Sequence, residues 1–141
     1  MVGYGHSKTC NIWFANELER RYGSKGVHAM SVHPGGITTT GLGNSHDPSV
    51  LPMLEYALSL ENVKRSLKDI GQGAATTVLA AVGKDYEGVG GMYMEDCGIA
   101  TPLPDDPPMG SPGYKPWAYD PEGEKQLWID SLRMVGLDSD P

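Results

Sequence analysis

The chain is short of positive charge, of cysteine and of long apolar runs, and each shortage closes off a class of function. Eleven Lys and Arg stand against eighteen Asp and Glu, for a net charge of −7 and an isoelectric point near 4.9. Such a surface repels a nucleic-acid backbone or an anionic membrane, so no nucleic-acid partner is expected. No apolar run reaches the length of a bilayer span, so no transmembrane segment is expected. No charged flank followed by an apolar stretch opens the chain, so no secretory signal is read. Cys10 and Cys97 have no metal-ligand spacing and are read as free thiols of a reducing compartment, with no metal site. There is no Asn-x-Ser/Thr acceptor and no internal repeat. The expectation is a cytoplasmic protein whose 141 residues, 39% hydrophobic, build one modest core.

What the chain does have begins at its start. Tyr4-Gly5-His6-Ser7-Lys8 runs into a stretch to Tyr22 with no proline and no glycine after Gly5. Ile12, Trp13, Ala15 and Leu18 fall at helical spacing, which predicts a helix over Tyr4–Tyr22 with a buried stripe. Trp13, Phe14 and Leu18 read as core or subunit contact. Arg20 and Arg21 suit the negative end of the helix dipole, and Gly23 is the expected stop. Tyr4 and Lys8, four residues apart, share one face. A cation beside a phenol favours the phenolate, and a phenol so tuned can pass a proton near neutral pH, as carbonyl–alcohol interconversion requires. With seven tyrosines in 141 residues, a Tyr-x-x-x-Lys arises by chance roughly one time in three, so context decides its meaning.

The context is an α/β pattern. Gly26–Val32 is rich in β-formers and reads as a buried parallel strand. His33-Pro34-Gly35-Gly36-Ile37-Thr38-Thr39 follows at its carboxyl end, where open α/β sheets bind ligands; Pro34 and Gly35 would turn the chain and let backbone approach a ligand. Gly41–Pro52 reads as a loop, with His46 and Asp47 as solvated residues, and Leu51–Leu67 as one or two helices. Gln72–Val82 reads as a helix stopped by Gly83, and Gly91–Glu95 as a second strand. Strand, helix and strand make a parallel crossover. Six prolines between Ile99 and Trp117 predict an extended stretch without regular elements. Asp120 then caps a last helix, with Pro121 at its first position and Leu127, Trp128, Leu132 and Val135 on one face.

Tyr4-Gly5-His6-Ser7-Lys8 resembles the Tyr-x-x-Ser-Lys active-site motif of the short-chain dehydrogenases/reductases. Pro34-Gly35-Gly36-Ile37-Thr38-Thr39 looks like that family's Pro-Gly-x-(Val/Ile)-x-Thr turn. Ala118–Glu122 with Leu127-Trp128 is similar to the C-terminal helix of the retinol-dehydrogenase-like branch. The resemblance implies the C-terminal half of a doubly wound parallel-sheet (Rossmann) domain, with the first half absent. Residues 1–98 would form the catalytic half and 99–141 a proline-rich tail with the last helix. It implies Tyr4 as proton donor or acceptor, and Lys8 as the cation that favours the phenolate and holds the nicotinamide ribose hydroxyls. Pro34 and Gly35 form the cofactor turn, the Ile37 backbone would meet the carboxamide, and Thr39 would reach the diphosphate, with Thr38 or Thr40 able to assist or replace it. The insert Leu51–Leu67 would cover the substrate.

The implied cofactor is NADP(H) ahead of NAD(H), and the implied substrate a small lipophilic alcohol, aldehyde or ketone. The first helix is also an expected surface for homo- or hetero-oligomer formation. Three family parts are missing: the glycine-rich diphosphate turn, the residue that chooses the cofactor, and the catalytic serine. Gly88, Gly90 and Gly91 precede a strand and read as a turn, and Ser7, inside the helix beside Tyr4, cannot replace the serine. The expectation is therefore an oxidoreductase sequence in a truncated, inactive half. The alternatives are a non-catalytic piece that pairs with an intact family member and a non-functional remnant.

Overall fold

The computed structural model describes residues 2–40 and 51–137, in which five α-helices and three short strands make a mixed α/β fold. The chain divides into two compact units, one of residues 1–31, 84–93 and 115–141 and one of residues 32–83 and 94–114. Among the described residues no helix is long and apolar enough to cross a membrane.

In the first unit, helix α1 (Val2–Tyr22) packs against the C-terminal helix, Pro121–Met134. Helix α1 ends at Tyr22, with Gly23 next in line as the expected stop. A 3-10 turn, Gly23–Lys25, continues it to Gly26, whose φ of 83° is a left-handed conformation that glycine reaches without a Cβ clash. The C-terminal helix starts as expected: the Asp120 carboxylate accepts from the Gly123 amide at 3.2 Å, and Pro121 takes the first turn. Its anchor is Trp128, 7% exposed, with Phe14 stacked on it at 5.2 Å between ring centroids and the Arg21 guanidinium over its face. The apolar stripe ends sooner than the spacing predicts, since Val135 lies past the last helical turn and is exposed. Gly123 faces Trp13, where a Cβ would come within 2.7 Å of the indole, so only glycine fits there.

The same contact buries two carboxylates. Glu17 and Glu124 are 3% and 1% exposed. Arg20 bridges both, Arg21 Nε donates to Glu17 at 2.7 Å, and Asn16 Nδ2 donates to Glu124 at 2.8 Å. Arg20 and Arg21, expected to serve the helix dipole, therefore neutralise buried charge. The Glu17 pairs lie within one helical turn, but the Arg20–Glu124 pair joins residues 104 apart and no local pattern marks it.

The strands are β1 (Ser31–Val32), β2 (Tyr93–Glu95) and β3 (Gly98–Ile99), in the order β1-β2-β3. Ser31 N–H donates to Met92 O at 3.0 Å and His33 N–H to Met94 O at 2.8 Å. Both bonds advance in the same direction, which is the parallel sense. The expected buried strand over Gly26–Val32 shrinks to two residues; Ser31 is buried, but Val27 is about half exposed. Strand β3 was not expected at all. It pairs antiparallel with β2, Glu95 opposite Gly98, across the two-residue turn Asp96-Cys97. Both turn residues have positive φ, 47° and 59°, as in the mirror-image turns that match strand twist. Asp-Cys does not announce such a turn as Asn-Gly would.

The second unit holds α2 (Leu51–Ser59), α3 (Glu61–Ser66) and α4 (Ile70–Val82); the C-terminal helix is then α5. Helix α4 starts two residues before the expected Gln72, because Asp69 and Gln72 form a capping box. Gly83 does end it, in an extended rather than left-handed conformation. The proline-rich stretch is tied back on itself. Tyr114 N–H donates to Thr101 O at 3.0 Å and Leu103 N–H to Tyr114 O at 2.8 Å, closing 101–114 into a loop. Gly113 makes that closure: a Cβ there would lie 2.6 Å from Thr101 O.

Candidate functional site

Helix α1 presents Tyr4 and Lys8 to solvent in the first unit. Tyr4 is 56% exposed, and the Lys8 ammonium lies over its ring, 5.2 Å from the centroid. This is the one-turn stacking that the spacing predicts, held as a cation–π contact. Ser7 is spent locally, its hydroxyl donating to Tyr4 O at 2.7 Å. Among the described residues no carboxylate pairs with Lys8 and no hydrogen bond engages the Tyr4 hydroxyl. A phenol and an ammonium, adjacent and uncommitted, can pass a proton and bind hydroxyls. Further along α1, Gly5, His6, Thr9, Cys10, Trp13 and Trp117 line an apolar groove of about 700 Å³.

The Pro-Gly turn lies in the second unit. Gly35 has φ 84°, so the turn does demand glycine. Its open side, however, is filled by the chain itself: a Cβ on Gly35 would lie 2.5 Å from Lys68 Cγ. The close approach expected of a ligand is made here by the Lys68 stem. Lys68 is held at three points, with its N–H on Gly36 O at 2.9 Å, its stem over Gly35 and its ammonium 2.8 Å from Asp96. Ile37 packs against α4 where Gly73 has no side chain, and no Cβ would fit there beside it. The Thr40 hydroxyl turns back to Ile37 O at 3.3 Å. Thr38 and Thr39 are exposed and, among the described residues, make no side-chain hydrogen bond. That leaves Thr39 available, with Thr38 as its neighbour.

Pro34, Lys68, Gln72, Thr76, Asp96 and Cys97 line a small cleft of about 180 Å³ in this unit. Thr76 is buried and its hydroxyl accepts from the Cys97 amide at 3.0 Å, fixing the hairpin tip. Burial raises the Glu95 carboxyl above its ordinary value near 4.5; the Gly113 amide and His33 oppose this, and Asp96 adds to it. Lys68, Asp96, Thr76 and Glu95 were missed from sequence. Each acts through a partner 18 or more residues away, and no local pattern marks such pairs. His46 and Asp47 lie outside the described residues.

No protein-family model matches the chain. Curated relatives do. It is 49% identical over 134 residues to the short-chain dehydrogenase/reductase prx1 of Penicillium roqueforti, covering 95% of this chain and 38% of that protein. It is 41% identical over 138 residues to the oxidoreductase calI of Penicillium decumbens, covering 97% and 40%. It is 34% identical over 135 residues to the WW domain-containing oxidoreductase of Homo sapiens, covering 96% and 28%. The chain thus spans about two fifths of the length of its fungal relatives.

Proposed function

We propose, from the premise that this chain is homologous over nearly its whole length to part of the short-chain dehydrogenases/reductases, that it carries the proton-transfer half of a nicotinamide-dependent oxidoreductase. In this reading it is the C-terminal half of a doubly wound parallel-sheet domain, with residues 1–98 as the catalytic stretch and 99–141 as tail and last helix. The observation that carries the reading is the Lys8 ammonium over the Tyr4 ring on an exposed face of α1.

The residues present suit a nicotinamide dinucleotide in part. An ammonium and a phenol suit ribose hydroxyls, and the Ile37 backbone and Thr39 hydroxyl suit a carboxamide and a diphosphate. Pro34 and Gly35 shape that turn. The glycine-rich turn that would cradle the diphosphate is not in this sequence. When bound, the cofactor supplies the hydride acceptor or donor. Tyr4 would then pass the proton to or from the substrate oxygen, and the Lys8 ammonium beside it would bind the ribose hydroxyls. The substrate is a small lipophilic alcohol, aldehyde or ketone, and NADP(H) is favoured over NAD(H), both on the likeness to the retinol-dehydrogenase-like branch. By itself the chain is inactive.

The test joins this chain to the remaining part of the Penicillium roqueforti relative and measures NADPH-dependent carbonyl reduction. Tyr4→Phe is expected to lower kcat by about 10² to 10⁴, and unchanged turnover would overturn the reading. A second reading, a non-catalytic piece that pairs with an intact family member through α1, draws on the apolar groove beside Trp13 and the 61% exposed Trp117. It predicts co-purification with that enzyme and no effect of Tyr4→Phe.

A further inference from the structure

Within the first unit, a cavity of about 300 Å³ opens between the C-terminal half of α1 and the start of α5. Asn16, Glu19, Arg20, Tyr119, Pro121 and Glu124 line it. Small-molecule sites run from roughly 300 to 1,000 Å³, so this one suits a ligand at the small end. Asn16 is 6% exposed, and its neighbours fix its amide. Nδ2 donates to Glu124 Oε1 at 2.8 Å and to Ala118 O at 3.5 Å. The reverse orientation would set an oxygen against two acceptors. Oδ1 is therefore an acceptor, and among the described residues no donor reaches it. A buried acceptor in that state is unfavourable.

Charge around the cavity is unbalanced in the same sense. Arg20 bridges Glu17 and Glu124, and Arg21 pairs with Glu17, so two guanidiniums answer two carboxylates. Glu19 is the third carboxylate, and among the described residues it meets no arginine or lysine. Its oxygens take the His28 ring nitrogen at 3.1 Å and the Ala29 N–H at 3.0 Å, and each has a further lone pair to offer. Gly90 leaves it room, since a Cβ there would overlap the carboxylate. Among the described residues no three His, Cys, Asp or Glu side chains are grouped to hold a metal ion. We propose that this cavity binds a primary ammonium carried on a short alkyl chain. The ammonium supplies both the positive charge and the N–H donors, one to Asn16 Oδ1 and others to Glu19. Pro121 and the Tyr119 ring give the methylenes an apolar wall. Asn16 lies about 18 Å along α1 from Tyr4 at the rise of an α-helix, so the site shares no residue with the proton-transfer pair.

The test is a ligand-observed NMR titration of the full chain with n-butylammonium chloride, 1-butanol and tetramethylammonium chloride. n-Butylammonium should bind saturably with a Kd on the order of 1 mM, an ordinary value for so small a probe. The alcohol lacks the charge and tetramethylammonium lacks the N–H donors, so each should bind about ten-fold more weakly or worse. Glu19→Gln keeps the shape and an acceptor but removes the charge, and should weaken n-butylammonium about ten-fold. Glu122→Gln, at an exposed carboxylate in the first turn of α5, should leave the Kd unchanged. Circular dichroism separates lost binding from lost fold, and if Glu19→Gln does not fold, the three probes on the unsubstituted chain decide. No saturable binding, equal binding of either control probe, an unaltered Kd in folded Glu19→Gln, or an equal loss in both variants overturns the proposal.

Discussion

Glu124 and Glu95 are both carboxylates that sequence reading passed over, and their surroundings treat them in opposite ways. Glu124 is nearly inaccessible, yet Arg20 and Asn16 satisfy it, and the bond to Glu124 raises the Arg20 pKa above its usual value. A buried charge is tolerated only when paired in this manner. For Glu95 burial outweighs the opposing Gly113 amide and His33 and disfavours the charged form. Its carboxyl ionises at the ordinary value in the unfolded chain and above it in the folded one. Its contribution to stability is therefore fully present below the ordinary value and lost as pH rises through the raised one. Glu95→Gln should make the protein more stable at pH 7, with the advantage vanishing below about pH 4. Urea titrations at the two pH values check this, and an equal gain at both would refute it.

Helix boundaries follow caps more than apolar content. Helix α4 begins where Asp69 accepts from the Gln72 amide at 2.7 Å and Gln72 returns to the Asp69 amide at 2.9 Å. Asp69→Ala should cost about 1 kcal/mol and fray the first turn of α4, beside Gly73 and the Ile37 side chain. Thermal unfolding gives the first effect, and exchange of the 70–74 amides the second. The strands obey a different logic. Two or three residues each, they owe their existence to bonds between distant segments, so period-2 patterns had little length in which to appear. The loop 101–114 shows the same effect. Its prolines exclude helix and ladder, but a closure through the free amides of Leu103 and Tyr114 needs neither.

Few apolar side chains are sealed from water: among the described residues, Ala15, Met94, Ala100, Ala118 and Trp128. Ile70, Val78 and Val82 on α4, with Tyr56 and Trp117 elsewhere, are more than half exposed. A core of that size supplies little of the free energy that ordering the chain requires. The purified chain should unfold with low cooperativity and bind a hydrophobic dye at pH 7. Calorimetry together with dye fluorescence would check this, and a sharp transition without dye binding would contradict it. The same exposed faces are where the remaining length of the family's fold would pack under the proposed reading.

The sequence alone determined what depends on neighbours along the chain. These are the helices, the Asp120 cap, the placing of Lys8 one turn from Tyr4, the turn at Pro34-Gly35, and the motifs that led to the family. Tertiary structure decided whatever depends on segments meeting across the chain. Arg20, in the last turn of α1, also reaches the buried Glu124, and Lys68 fills the space beside Gly35 that was expected for a ligand. A two-residue turn creates β3, and a proline-rich stretch closes into a loop that grips α3. Local conformation is set by propensity and steric limits over a few residues, which the sequence displays. Long-range pairing is set by which polar groups must find partners once burial removes water, and only the folded chain brings those partners together.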